Sequence, residues 1–258
     1  DDDRIGLVLY GTGTEFTRCL GFSGGLPGCN TGFAIYRGKE VNEGLHGEGF
    51  PMELETIGGS REPVIWGTHP LKKGEMLHGW FGGGGGYGDP LQRDSELVKL
   101  DVSDEKVSRK WAEKLYGVVL NQDLEVDVDQ TTRLRRETAE KRLHGRTEKP
   151  AAGERVTTKP ARKSELVNLS ENLKAVKTQG GVNIQCTKCD HTISKFPEPW
   201  KDHCVLIQSP LTYAGPWRSE SGLFEMREYI CGGCAQLLDV EVALPEDPPL
   251  YDEVHVHA

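Results

Sequence analysis

Two pairs of cysteines carry the clearest chemistry in this sequence. The pairs are Cys186 with Cys189 and Cys231 with Cys234. Each C-x-x-C spacing places two thiolates on one tight turn, from which both sulfurs can reach one ion at about 2.3 Å. Two such knuckles predict a tetrahedral site with four thiolate ligands, and the ion expected there is a structural zinc. Gly232 and Gly233, between the second pair, let backbone amides turn toward the sulfurs.

Other chemistry is open to the same residues. A rubredoxin-like iron would use the same four ligands, whereas a redox C-x-x-C needs a thioredoxin-like βαβ setting that the sequence lacks. A closed all-thiolate site leaves no position for a substrate, so we expect the metal to stabilise the fold rather than to catalyse. Cys204, beside His203, has no paired partner and is expected to be a buried thiol. His255 and His257 are interpreted as an exposed tail rather than a second metal site.

The elements that must position the cysteines are strands and turns of a C-terminal domain. The knuckles are separated by residues 190–230, which is longer than a compact zinc ribbon allows. This gap therefore predicts an insertion with its own structure, including Trp200, Tyr213 and Trp217. Apolar residues at helical spacing in residues 166–177 predict a short amphipathic helix that opens this domain.

A glycine run is the second unusual feature of the chain. Residues 82–86 are all glycine, and Trp80, Phe81 and Tyr87 flank them. Aromatic flanks can anchor both ends of the run, so we expect a loop packed closely against a neighbour rather than a flexible linker. The run lacks the Lys-Ser/Thr of a phosphate-binding P-loop, although backbone amides could still cradle a phosphate.

No catalytic residue is assigned from the sequence, because no Ser-His-Asp or paired-carboxylate pattern is readable. The polar residues worth testing by mutation are Asp89 and His78 near the glycine run, and His46 with Glu48. A structural role is the alternative for each: Asp89 would begin a turn that leads to a helix, and His46 would lie in a surface loop.

Composition limits the class of protein. The 258 residues have a net charge of −9 and a mean hydropathy of −0.51. The negative charge disfavours nonspecific binding to nucleic acid, and no apolar run is long enough for a membrane helix. Seven cysteines, an odd number, without a secretory leader point to a reducing compartment, so we expect a cytoplasmic protein. The opening residues 1–3 include no methionine, as expected of a fragment or a processed product.

Residues 1–122 are predicted to form the first domain, a glycine-rich β-sandwich or barrel-like unit followed by a helix. Residues 1–90 hold 23 of the 32 glycines, between short apolar runs that read as strands at residues 5–10, 32–36 and 63–66. Residues 68–77 are expected to turn into the strand before the glycine run. A helix is predicted for residues 103–115, capped by Ser103 or Ser108 and stopped by Gly117.

Residues 123–165 are predicted to be a helical and basic linker, and residues 166–258 a zinc-ribbon-like domain. Residues 124–128 alternate apolar and acidic side chains, like an edge strand, and residues 130–143 favour a helix. Residues 133–163 carry eleven Lys/Arg and four Glu, and residues 145–163 are too polar to order themselves. We interpret this segment as a solvated tether, since it lacks the aromatics that stack on RNA bases. The expected fold class is mainly β with a few helices.

The first 120 residues resemble the C-terminal part of hydantoinase B-type subunits, the family shared by hydantoinases, oxoprolinases and the acetone and acetophenone carboxylases. The resemblance rests on the glycine run with Tyr87-Gly88-Asp89-Pro90 and on Tyr116-Gly117-Val118-Val119-Leu120. A Gly-Gly-x-Pro-Gly segment at residues 24–28 adds to it.

The last domain resembles the small zinc-containing subunit of the same carboxylases, through the four knuckle cysteines and Gly215-Pro216-Trp217. The resemblance implies a noncatalytic, structural subunit of an ATP-dependent carboxylase that forms a β-keto acid from a ketone and bicarbonate. It also implies partners: ATP and bicarbonate would be bound by hydantoinase A-type and hydantoinase B-type large subunits. One alternative is a subunit of a hydantoinase or oxoprolinase-type amidohydrolase, and another is a nucleic-acid-binding zinc ribbon.

Overall fold

The fold is mainly β, with antiparallel sheets and a few helices, as the sequence predicted. The computed structural model describes residues 4–38, 41, 58–64, 66–145 and 166–251. The strands form one two-stranded, two three-stranded and one four-stranded sheet within these ranges. His46, Glu48, His255, His257 and most of the basic tether lie outside the described residues.

Two sheets face each other in the first part of the chain. Strands β1 (Arg4–Leu9) and β4 (Gly67–Lys72) form one sheet, and β3 (Ser60–Val64), β2 (Gly32–Arg37) and β5 (Met76–Trp80) form the other in that order. Side chains alternate along β2, because successive residues of a strand point to opposite faces. Phe33 and Ile35 therefore pack with Leu9 and Leu71 of the two-stranded sheet. Residues 68–77 were expected to turn, but residues 68–72 belong to β4, which pairs with β1, and the chain turns only after them.

The opposite face of the three-stranded sheet carries a second cluster. Ala34 and Tyr36 of β2 pack there with Trp80 of β5 and with Trp217 from the C-terminal half. His78 stacks on Trp80 with ring centroids 5.2 Å apart. The aromatic residues before the glycine run thus anchor it to the sheet.

The middle of the chain is helical. A short 3-10 helix (Pro90–Gln92) precedes α1 (Ser95–Ser103), α2 (Arg109–Tyr116) and α3 (Val128–Leu143). Of the two starts predicted for the helix at residues 103–115, the later one is confirmed: residues 104–107 turn, and α2 begins after Ser108, whose side chain makes no capping hydrogen bond. Gly117 ends α2 with a left-handed φ of 61°, as predicted. The strand expected at residues 124–128 is reduced to one bridge between Leu120 and Val126, because α3 begins at Val128.

Two further sheets build the C-terminal part. The first, in order, contains β6 (Leu166–Asn168), β7 (Leu173–Thr178), β8 (Gly181–Cys186) and β9 (Thr192–Lys195). The second contains β10 (Val205–Pro210), β11 (Glu225–Ile230) and β12 (Leu237–Ala243). Ile184, Ile193, Trp200 and Tyr229 pack in the core that joins them. The insertion between the knuckles supplies β9, β10, β11 and two 3-10 helices, Trp200–His203 and Leu211–Ala214.

The helix predicted for residues 166–177 is wrong. The structure has β6 and β7 here, with a turn between them. The backbone of β7 pairs with β8 from Leu173–Cys186 to Thr178–Gly181, and Leu173, Ala175 and Val176 are buried. Pairing with a neighbouring strand outweighs the helical spacing of the apolar residues, since tertiary context overrides weak local preference.

The loop of residues 21–28 connects the glycine run to the C-terminal sheets. Phe22 N–H donates to Gly86 O at 2.9 Å, and Gly86 N–H donates to Leu26 O at 2.8 Å. On its other side, the Asn172 side chain donates to Ser23 O at 2.6 Å and to Leu237 O at 3.1 Å. The first and last parts of the chain therefore pack directly on each other, and the domain boundaries at residues 122 and 165 stay a prediction.

No helix in the described part of the chain combines the length and the apolar character needed to cross a membrane.

Candidate metal centre

The two knuckles share one backbone geometry. Cys186 ends β8, and its N–H donates to His191 O, five residues on, at 3.0 Å; Cys231 N–H donates to Gln236 O at 2.9 Å in the same way. The residue four positions after each first cysteine has a left-handed φ, 59° at Asp190 and 61° at Ala235. Each turn thus closes on itself and presents two sulfurs on its inner side.

The turns bring all four predicted ligands together. The four Sγ atoms lie within 4.8 Å of one another, with Cys186 and Cys234 at 3.8 Å and Cys189 and Cys231 at 3.7 Å. Zinc–sulfur bonds of about 2.3 Å in a tetrahedron place sulfurs roughly 3.8 Å apart. The geometry and the all-thiolate donor set therefore fit zinc, and they fit iron equally well.

Electrostatics favour a cation among these sulfurs. Hydrogen bonds from Cys231 and Cys234 lower the pKa of Cys186. The contact with Cys186 in turn raises the pKa of Cys231 and of Cys234, and burial adds to both increases. Four neighbouring thiols cannot all ionise without compensation, whereas a divalent cation would hold all four as thiolates.

Residues around the knuckles fix the turns. A Cβ at Gly233 would lie 2.7 Å from His191 Cβ, so glycine is required where the second turn meets the first. Gly233 N–H also points to Cys231 Sγ at 3.4 Å, as the glycine pair predicted. Thr187 N–H donates to Asn172 O at 3.0 Å, and Lys174 pairs with Asp190. These contacts connect the first knuckle to the turn between β6 and β7.

The remaining cysteine of the insertion is separate from the site. Cys204 is 3% exposed and lies in the core between the two C-terminal sheets. Its Sγ donates to Trp200 O at 3.4 Å, and burial raises the pKa of the thiol. It is a buried thiol, as expected.

The other polar residues singled out from the sequence have structural surroundings. Asp89 caps the 3-10 helix by accepting from Leu91 N–H at 3.0 Å, which agrees with its expected place at a turn. His78 stacks on Trp80 and meets Trp217 edge to face, and burial, with a smaller contribution from Arg61, lowers its pKa.

A buried ion pair that sequence reasoning missed joins the glycine-run segment to the second knuckle. Both Nη atoms of Arg142 donate to Asp89, at 2.8 and 3.1 Å, and Asp89 Oδ2 also accepts from Leu237 N–H at 3.0 Å. Arg142 Nη1 also donates to Ala235 O, next to Cys234, at 3.3 Å. No local pattern signals a pair 53 positions apart; only the place of Arg142 in the last turn of α3 hints at it.

Comparison with known proteins supports both resemblances. Residues 163–257 match the family model described as acetone carboxylase gamma subunit, and this range contains all four knuckle cysteines. The chain is 38% identical over 84 residues to the acetophenone carboxylase delta subunit of Aromatoleum aromaticum, covering 31% of this chain. It is 40% identical over 53 residues to a putative D-/L-hydantoinase B-type subunit of a Pseudomonas species, covering 20% of this chain.

A solved structure of nucleotide-free acetone carboxylase is also similar, with 23% identity over 50% of this chain and 19% of that one, at a TM-score of 0.36. The chain spans only 12% and 9% of the length of the two curated relatives. The chain thus joins a part that resembles hydantoinase B-type subunits to a domain that matches the acetone carboxylase gamma-subunit family.

Proposed function

We propose that this chain is an accessory subunit of a multi-subunit, ATP-dependent ketone carboxylase, which forms a β-keto acid from a ketone and bicarbonate. The observation that carries the proposal is the match of residues 163–257 to the gamma-subunit family, in a domain with a closed four-thiolate site. Such a site has no open coordination position, so its metal would stabilise the domain. ATP and bicarbonate would be bound by hydantoinase A-type and B-type large subunits in the cytoplasm.

The first part of the chain offers a surface for a large subunit. Among the described strands, β1 pairs only with β4, so no described strand pairs with the other edge of β1. Ile5 and Val8 on β1 are 65% and 77% exposed, and Tyr10 just after it is 84% exposed. An open apolar edge strand is a site for pairing with another chain. We infer that a hydantoinase B-type large subunit covers this edge of β1, because β1 lies in the part of the chain that resembles such subunits. The relatives are also far longer than the stretch they share with this chain.

The test is copurification followed by reconstitution. The full chain, purified from its native cells, should bring down two large subunits identified by mass, and the complex should form β-keto acid only when ketone, bicarbonate and ATP are all present. The isolated chain should be inactive. Turnover of a ketone by the chain alone would refute the accessory role.

A surface variant separates docking from folding. Val8→Glu places a charge on the open edge and should reduce copurification of the large subunits at least about tenfold, as expected for a charge buried without a partner at an interface. Val167→Glu is the matched control, since Val167 is 62% exposed on another edge strand, β6. Equal loss of partners in both variants, or in neither, would contradict docking at β1.

The second candidate is an amidohydrolase subunit, favoured by the similarity to the hydantoinase relative. In that case the purified complex would hydrolyse a hydantoin or lactam without consuming bicarbonate. The same preparation therefore decides between the two functions.

A further inference from the structure

A cavity of about 620 Å³ lies where three parts of the chain meet. Its walls come from the β2–β3 region, from α2 with the turn before it, and from the Gly215–Pro216–Trp217 turn of the C-terminal insertion. Cavities of roughly 300–1,000 Å³ are the size that binds small molecules. The metal site and the open edge of β1 do not contribute to it.

One side of the cavity is aromatic and rigid. Trp217 packs against Trp80 and His78, with ring centroids 5.3 and 4.8 Å apart, and is held at a left-handed φ of 61°. Such a backbone conformation is strained for a residue with a bulky side chain and is common at ligand sites. Trp111 and Leu115 of α2 also line the cavity. Together they form a preorganised apolar surface for a ring or a short hydrocarbon.

Among the described wall residues, the charges leave a positive excess. Arg61 pairs with Glu220 at 3.1 Å, and Lys106 pairs with Asp104 at 2.8 Å. Arg218 has only backbone partners among the described residues: its guanidinium donates to the carbonyl oxygens of Pro27, Pro216 and Ala214.

A desolvated arginine without a carboxylate creates a positive potential that an anion would satisfy. Lys110, exposed on α2 and without an ion-pair partner in the described part of the chain, adds an accessible cation. Glu105 is the wall carboxylate that opposes these two cations.

We propose that this cavity binds a small organic acid, with its carboxylate toward Lys110 and the field of Arg218 and its apolar body against Trp111 and Trp217. Aromatic walls with one convergent charge are the usual composition of such a site. A β-keto acid has this chemistry, and its assignment as the product of the complex rests on the proposed function. Binding of acids by the isolated chain does not rest on it.

The test uses the full chain with 3-phenylpropanoate as the probe, in the absence of ATP, bicarbonate and other subunits. Isothermal titration and tryptophan fluorescence should both report saturable binding. Two matched probes separate the contributions of the carboxylate and the ring to the affinity. The first, 3-phenylpropanamide, lacks the charge, and the second, propanoate, lacks the ring. Each should bind about tenfold more weakly or worse, the loss expected for one charge-assisted contact or one buried ring. Equal affinity for the acid and the amide, or no saturable binding of the acid, would overturn the proposal.

Two variants of residues in the cavity wall locate the site. Lys110→Glu should abolish the preference for the acid over the amide, whereas Lys177→Glu, an equal change at an exposed lysine on β7, should leave it intact. Trp111→Leu should weaken the aromatic acid and reduce the fluorescence response, with Trp66→Leu, at a tryptophan 60% exposed and outside the cavity, as its control. Unchanged affinity in both cavity variants would place the binding elsewhere and refute this site. Failure of large subunits to copurify would refute the proposed function and leave these results standing.

Discussion

Asp89 shows how much one side chain of the Tyr-Gly-Asp-Pro segment does. It is 4% exposed, and its two oxygens accept four hydrogen bonds from three different parts of the chain. Removing one partner of a buried ion pair costs about 3–5 kcal/mol, because the other charge stays buried without compensation. Asp89→Asn should therefore destabilise the protein by about this amount, as measured by the shift of the urea unfolding midpoint.

Two further variants serve as controls for Asp89→Asn. Asp104→Asn removes an exposed partner of Lys106 and should shift the urea unfolding midpoint far less than Asp89→Asn, because solvent screens exposed ion pairs. Replacing both members, Asp89→Asn with Arg142→Gln, should cost less than the sum of the single changes, since the two residues are coupled. Additive effects would mean that the pair contributes little and that the backbone bonds of Asp89 dominate.

At the scale of elements, the two glycine-rich loops replace side-chain packing with backbone contact. A Cβ on Gly25 would lie 1.9 Å from Gly86 O, and one on Gly85 would lie 2.0 Å from Leu20 O. Gly84, in the middle of the same run, has nothing within 4 Å of its Cβ position. The run is therefore a packed loop whose individual glycines have unequal importance.

This inequality gives a direct prediction. Gly25→Ala and Gly85→Ala should each lower stability by about 1–3 kcal/mol or more, because backbone must move apart to admit a methyl group. Gly84→Ala should change stability by less than about 1 kcal/mol, and in the stabilising direction if its backbone tolerates alanine. Thermal unfolding of the three variants measures this. Similar losses at all three positions would instead favour a requirement for flexibility along the whole run.

Local signals determined which elements were predictable. The strands β2 and β5, the end of α2 at Gly117 and both knuckles follow from short-range patterns, and the structure has each of them. Helix α1 does not follow from such a pattern. Its leucines Leu97 and Leu100 are exposed, whereas Val98 is the residue that it buries, so its apolar residues do not mark one buried face. The β6–β7 region was wrongly predicted for the opposite reason, since its strand pairing is decided by β8 rather than by its own spacing.

The same division applies to the candidate sites. Four cysteines in two knuckles indicate their chemistry, because each pair of ligands is close in sequence. The Asp89–Arg142 pair and the cavity around Trp217 depend on how α3 and the insertion pack, so neither could be predicted from the chain alone. In the sequence, Gly215 and Pro216 indicate only that a turn lies next to Trp217.

At the scale of the whole molecule, the cysteine cluster is joined to both the helical middle and the front loops. Cys186 ends β8 in one C-terminal sheet, whereas Cys231 follows β11 in the other, so a bound ion would tie the two sheets together. From the second knuckle, Ala235 and Leu237 contact Arg142 and Asp89, and Leu237 O lies against Gly24. Loss of the ion should therefore loosen the contact with the front loops as well as the C-terminal domain.

Metal analysis of one double variant tests this arrangement. The native chain should carry one tetrahedral zinc or iron per molecule, and Cys189→Ser with Cys234→Ser, one change in each knuckle at its less buried cysteine, should remove it. Cys19→Ser, at an exposed cysteine outside the cluster, is the matched control and should keep full metal content. Because structural zinc contributes directly to folding, the double variant should melt at lower temperature and become sensitive to proteolysis in residues 21–28 as well as near the knuckles. Metal bound at full occupancy in the double variant, or metal loss without any change in protection of residues 21–28, would contradict the coupling inferred from these contacts.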